Sequence, residues 1–138
     1  MAKESGLGMS VIVDDSGGVA RTISNDITEV KITMPNEVLV VTGVDVSAVE
    51  RLLAHADLEI SFSGVFNDAA AMSHAVFKDY RTNTGTEKGR TTAIAHSGQT
   101  LTEDALLLTA YNLNRAADGS LTFEVPGMLA DGTVPAWS

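Results

Sequence analysis

The stretch DLEISFSGVFNDAAAMSHAVFKDY, residues 57–80, changes its hydrophobic period once, and that change sets the expected fold. Leu58, Ile60, Phe62 and Phe66 share one parity, with Gly64 in register between them, while Glu59, Ser61 and Ser63 take the other. A strand with one buried face requires this alternation, because successive side chains point to opposite sides. Past Asn67 and Asp68, residue types that cap helix N-termini, the period becomes three to four. Ala69, Met72, Ser73, Val76, Phe77 and Tyr80 then make one helical face, with His74, Lys78 and Asp79 off it. A half-buried strand feeding a short helix needs a sheet to cover both stripes.

The flanking chain supplies segments for that sheet. Upstream, residues 11–13 read as a short strand, and Asp14-Asp15-Ser16-Gly17-Gly18 as a turn rich in residues that tolerate positive φ. The turn lacks the further spaced acids that a calcium loop needs. Residues 19–34 are β-rich but change phase: Ile23 and Ile27 share one parity, Val30, Ile32 and Met34 the other. A bulge or short turn is therefore expected within residues 24–29. After Pro35-Asn36, residues 38–44 are apolar on both parities, the pattern of a strand covered on both faces, by sheet, helix or another subunit. Ser47-Ala48-Val49-Glu50 matches a capping box and predicts a short helix over residues 48–55, with Val49, Leu52, Leu53 and Ala56 inward.

Downstream, residues 91–96, 105–111 and 121–125 read as strands, Gly98 and Asp131-Gly132 as turns, and residues 112–119 as a turn-bearing connection. No internal repeat or linker divides the chain. The expectation is one mainly β domain, residues 1–138, with one or two short flanking helices.

A chain of 138 residues buries roughly 70% of its unfolded surface, and 44% hydrophobic residues suffice for a core without staples. The absence of cysteine excludes disulfides and thiolate chemistry. The opening MAKESGLGM lacks the apolar run of a signal peptide, and no apolar stretch is long enough to span a bilayer. A soluble protein folded in a cytoplasm, with no membrane insertion, is expected. Eighteen acidic against nine basic residues give a net charge of -9, which argues against a grip on a nucleic-acid backbone. Solubility is the ordinary meaning of such a charge, and it is also compatible with letting nucleic acid pass without sticking.

The run RTNTGTEKGR, residues 81–90, is polar, and Lys78, Arg81, Lys88 and Arg90 hold four of the nine basic residues. It reads equally as a solvated loop or as a basic arm that docks on an acidic neighbouring copy. Signs of catalysis are missing. His55, His74 and His96 lie on different expected elements without metal-ligand spacing. No nucleophile elbow and no glycine-rich phosphate loop is present, since Gly6 and Gly8 neither follow a strand nor open a helix. Asp14-Asp15 and Glu103-Asp104 are read as solvated acids in turns, and 5% aromatics are too few for a stacking platform.

In the order of its features the chain resembles the major tail (tail tube) proteins of long-tailed, non-contractile bacteriophages. The likeness runs through Arg21-Thr22-Ile23-Ser24-Asn25-Asp26-Ile27, the VVTG of residues 40–43 and SAVERL of residues 47–52. It continues in Ser63-Gly64-Val65-Phe66-Asn67-Asp68, in Ser73-His74-Ala75-Val76-Phe77 and in the closing DGTVPAW of residues 131–137. The match is one of overall pattern, and tubes of contractile tails and secretion systems share the fold.

The resemblance implies an antiparallel β-sandwich or barrel-like tail tube fold whose hexameric rings stack into a hollow tube. Inner strands of six copies would join into one barrel that conducts double-stranded DNA and houses the tape-measure protein. Partners would be other copies, the tape-measure protein, and tail-tip and tail-terminator proteins. The setting would be a virion tail assembled in the cytoplasm of a bacterial host, with no catalysis, cofactor or metal. Lumen-lining candidates are Asp26, Glu29, Asp57, Glu59, Ser61 and Ser63. Inter-subunit candidates are the N-terminal lead-in, residues 35–56 with Val40, Val41 and Arg51, and the loop with Arg81, Lys88 and Arg90. A stand-alone immunoglobulin-like binding module is the alternative, and an enzyme without coded motifs a third reading.

Overall fold

The computed structural model describes residues 3, 5–81 and 89–138, and it is mainly antiparallel β. The strands are β1 (Ser10–Asp14), β2 (Ala20–Thr22), β3 (Ile27–Thr33), β4 (Asn36–Val40), β5 (Arg51–Ala56) and β6 (Glu59–Val65). After one helix, α1 (Ser73–Phe77), come β7 (Arg90–His96), β8 (Gln99–Leu108), β9 (Asn112–Arg115) and β10 (Leu121–Leu129). Eight strands form one sheet in the order β2-β1-β7-β8-β10-β6-β3, with β9 also paired to β10, and β4-β5 form a separate ribbon.

The two long strands join the halves of the sheet. The first part of β8 pairs with β7 and its last three residues with β10. β10 pairs along its length with β6, and its other edge is shared between β9 and the end of β8. Side chains from both halves meet in one core: Val11, Val13, Ile94 and Leu101 from one, Ile60, Phe62, Phe123 and Val125 from the other. The sheet does not close into a barrel, because β2 and β3 remain as its ends. Those end strands are consecutive in the chain and are joined by a 3-10 turn, Ser24–Asp26.

The opening stretch behaves as its period predicts. β6 buries Ile60, Phe62 and Gly64 and turns Glu59, Ser61 and Ser63 outward, with Leu58 buried just before it. A Cβ on Gly64 would collide with the Asp26 carbonyl and crowd the Phe123 ring, so glycine lets the 3-10 turn lie against the strand. The phase change of residues 19–34 is this turn together with a bulge between Ile27 and Glu29.

The helix is shorter than expected. Ala71 sits in the left-handed region at φ 64°, which no regular helix accommodates, so α1 starts at Ser73 with Met72 as N-cap. Asn67 does not cap it; its side chain bonds the Ala69 amide and Asp26. Val76 and Phe77 are fully buried, and Phe77 packs against Phe62, Tyr111 and Phe123.

Two other expectations are corrected. Residues 51–56 are not helical but form β5, paired with β4, so the expected helix over residues 48–55 does not exist. The capping-box glutamate serves a loop instead: the Glu50 carbonyl accepts from the Val41 amide, and the Glu50 amide donates to the Thr42 hydroxyl. The β-forming segment Asn36–Val40 needs a partner for its backbone, and that long-range pairing overrides the helix propensity of RLLAHA. Downstream, the strand expected over residues 105–111 is β8, which begins six residues earlier after a tight turn with Ser97 and Gly98 both at positive φ. Glu103 is consequently not a solvated turn acid. It lies inside β8 in phase with Leu101 and Ala105, and only 3% of it is exposed.

Candidate assembly surfaces

Three surfaces follow from this topology: an outward sheet face, two open strand edges, and the β4-β5 ribbon. The outward face is built on β6. Across from Ser63 lie Glu29 of β3 and Glu124 of β10, and across from Ser61 lie Lys31 and Pro126. Glu59 faces Thr33 on one side and Met128 on the other. β9 extends the same face, with Asn112 opposite Glu124 and Asn114 opposite Thr122. Period-two alternation thus gathers three glutamates, one lysine and short polar side chains on one surface, with Val65 and Met128 as its exposed apolar members. The four strands β3-β6-β10-β9 end on two edges, β3 and β9, that pair with nothing further.

Of the lumen candidates, Glu29, Glu59, Ser61 and Ser63 belong to this face. Asp26 does not. It is 5% exposed, and its carboxylate accepts hydrogen bonds from the Asn67 amide at 3.0 Å and the Ser73 backbone N–H at 3.1 Å. The residue ties the 3-10 turn to the start of α1. Asp57 stands apart at the root of the ribbon, where its carboxylate takes the Leu58 N–H at 2.7 Å and its own N–H donates to the Pro35 carbonyl.

The ribbon inverts the usual distribution of apolar side chains. Val38 and Leu53 are directly opposed on one side, Leu39 and Leu52 on the other. All four are exposed, as is Val40, and Leu53 is 73% accessible. Val41, Val44, Val46 and Val49 in the connecting loop are exposed as well. Both faces are therefore apolar and uncovered within one copy, so of the covers expected for residues 38–44 neither the sheet nor the helix of this copy supplies one. Arg51 lies opposite Val40 and adds a cation, and His55 Nδ1 meets Glu37 Oε2 at 3.0 Å.

The basic candidates separate. Arg81 is exposed, its Nε donating to the Tyr80 hydroxyl and its guanidinium lying over the Tyr80 ring. Lys88 falls outside the described residues. Arg90 is corrected from a surface cation to a buried one, 2% exposed. Its Nη1 donates to the carbonyls of Asp14 (3.0 Å) and Val76, and its Nη2 to that of Asp79 at 2.7 Å. Burial pulls its pKa down, against the pull of Asp15, Asp79 and Asp14. Arg90 binds β1, α1 and the segment after α1 to one another, and no single-residue signal in the sequence announces that role.

Among the described residues no group of three His, Cys, Asp or Glu side chains converges to hold a metal, and no helix is long and apolar enough to cross a membrane. No family model matches the sequence, and no curated protein matches it. Similarity appears at the level of structure. A chain from the virion of a native gene transfer agent particle superposes with a TM-score of 0.73 at 15% identity, over 99% of both chains. A chain from the tail of an empty gene transfer agent particle with C6 symmetry gives 0.72 at 19% identity, over 99% of this chain and 98% of that one. The chain thus shares the fold of a chain of a gene transfer agent virion and of a chain of a gene transfer agent tail with C6 symmetry.

Proposed function

We propose that this chain is a tail tube subunit, whose copies close into hexameric rings that stack into a hollow tube for DNA passage. One observation carries the reading: a ribbon apolar on both faces and uncovered in the single copy. Contiguous exposed apolar surface of this kind marks a protein interface. A monomeric immunoglobulin-like module, the alternative reading, has no use for an arm that must be buried on two sides. Likeness to a chain of a C6 tail supports the ring as the form of assembly.

Within a ring, the β3 edge of one copy would meet the β9 edge of the next. Such a head-to-tail contact closes under sixfold rotation and removes the open edges of β3 and β9, leaving that of β2. The polar face of β3-β6-β10-β9 then becomes the inner wall. Glu29, Glu59 and Glu124 outnumber Lys31 on it, so the wall is net negative and repels phosphates, allowing DNA to slide. Ser61, Ser63, Asn112 and Asn114 keep that wall polar and short-chained. Val40, Val41 and Arg51 of the ribbon, with Arg81 and the N-terminal lead-in, would contact neighbouring copies. The tape-measure, tail-tip and tail-terminator proteins are the further partners in this reading, and a virion tail assembled in the bacterial cytoplasm its setting.

Negative-stain electron microscopy of the purified protein across concentration tests the proposal. Hollow rings or striated tubes of uniform width with sixfold views are expected. A chain that remains monomeric up to millimolar concentration, with its ribbon uncovered, contradicts it.

A further inference from the structure

Where the lead-in to β1 passes the start of β3, the fold leaves an open groove of about 440 Å³. Leu7, Met9 and Val11 line one side of it, Ile27 and Val30 the other. Met9, Ile27 and Val30 pack on the core but are only half-buried, so their uncovered sides border the groove. Its frame is set within one copy. The Val11 N–H donates to the Ser24 hydroxyl at 2.8 Å and the Ile23 N–H to the Val11 carbonyl at 3.0 Å, which ties β1 to the turn ahead of β3. A Met9 N–H bond to the Gly6 carbonyl, 3.4 Å long, curls the lead-in beside it.

At the opposite edge of the same four strands stands an apolar side chain without a cover. Leu113 on β9 pairs with the buried Phe123 and so shares the core-facing parity, yet it is 49% exposed. Asn112 and Asn114 take the other parity and join the polar face.

The strand register links groove and leucine. Leu113 lies opposite Phe123, Phe123 opposite Gly64, and Gly64 opposite Ile27, so one row crosses all four strands. Three antiparallel steps make β9 run against β3. Rotation about a ring axis keeps each strand's sense, so β9 of the next copy arrives antiparallel to β3. The row then brings the next copy's Leu113 to Ile27. Barrel tilt displaces such a row, but only by steps that keep a side chain on its face. One step along β3 reaches Val30, because the bulge places Thr28 and Glu29 between. Both Ile27 and Val30 line the groove.

We propose that this groove is the socket for Leu113 of the next copy, and that the contact fixes the register in which the edges close. The inference rests on the ring reading and adds what backbone pairing lacks, since ladder hydrogen bonds alone allow slippage by two residues. Leu113 in the socket loses its exposure and covers the open sides of Met9, Ile27 and Val30.

Within one copy β3 and β9 lie three strand spacings apart, roughly 14 Å, beyond the reach of a disulfide. Leu113→Cys combined with Ile27→Cys or Val30→Cys can therefore cross-link only between copies. Oxidised in assembled tubes, one of these pairs should give a ladder that ends at six. Glu29→Cys with Asn114→Cys, on the polar face of the same edges, is the control for the ring itself. Control cross-links without either Leu113 pair overturn the socket and leave the ring standing; no cross-links of any kind overturn both. Leu113→Ala should raise the protein concentration needed for tubes by about tenfold, while Leu113→Met keeps it near the native value. An unchanged threshold in Leu113→Ala contradicts the socket. Should Leu113→Ala destabilise the single copy, the cross-links decide.

Discussion

β6 and the β4-β5 ribbon are both antiparallel strands rich in branched apolar residues, yet they obey opposite rules. β6 alternates, so one face enters the core and the other meets solvent. β4 is exposed at every position, although Val38, Leu39 and Val40 are as apolar as anything in the core. The difference is one of audience: β6 is satisfied within its own copy, whereas β4 is left uncovered by its own copy and in the proposed tube is written for another. Substitutions should therefore divide into those that unfold the subunit and those that leave it folded but unable to assemble.

The largest stability effect belongs to the body. Phe77→Ala empties a fully buried site packed against three aromatic rings and should destabilise the fold by about 3–5 kcal/mol, read from denaturant unfolding. Asp26→Ala comes next. It leaves the Asn67 amide and the Ser73 N–H without their acceptor and should cost about 1–3 kcal/mol, with α1 fraying first in hydrogen exchange. Leu53→Glu sharpens the contrast, because it should move unfolding stability by no more than about 0.5 kcal/mol while abolishing tubes in electron micrographs. A Leu53→Glu chain that unfolds would make the ribbon part of the body after all. The smallest effect on folding is expected of the triple change Glu29→Gln, Glu59→Gln and Glu124→Gln. It should leave stability and tube formation intact, yet make preformed tubes retain DNA at low salt, with retention lost as salt rises.

The same contrast explains what could be read in the sequence. Alternation in residues 58–66 is a local signal of burial within one copy, so β6 and its outward Glu59, Ser61 and Ser63 were legible. The phase change near residues 24–29 was legible for the same reason. RLLAHA was not, because its propensity and the capping box before it are local, whereas its strand pairing with β4 is a long-range fact. Asp26 and Arg90 were misplaced as surface charges. Their partners are an amide 41 residues away and three backbone carbonyls, and no spacing rule encodes these. Glu103 was missed despite a usable signal: it falls in phase with Leu101 and Ala105, and an acid on the apolar parity of a strand is one that must be protonated or paired.

The account turns on the β3 edge of one copy meeting the β9 edge of the next, and the absence of cysteine allows a direct test. Cysteines introduced together at Glu29 on β3 and Asn112 or Asn114 on β9, then oxidised in assembled tubes, should cross-link neighbouring copies. Non-reducing electrophoresis should give a ladder that stops at six. Tubes that form but yield no cross-link with either pairing, or a product that stops at two, would contradict the edge-to-edge ring.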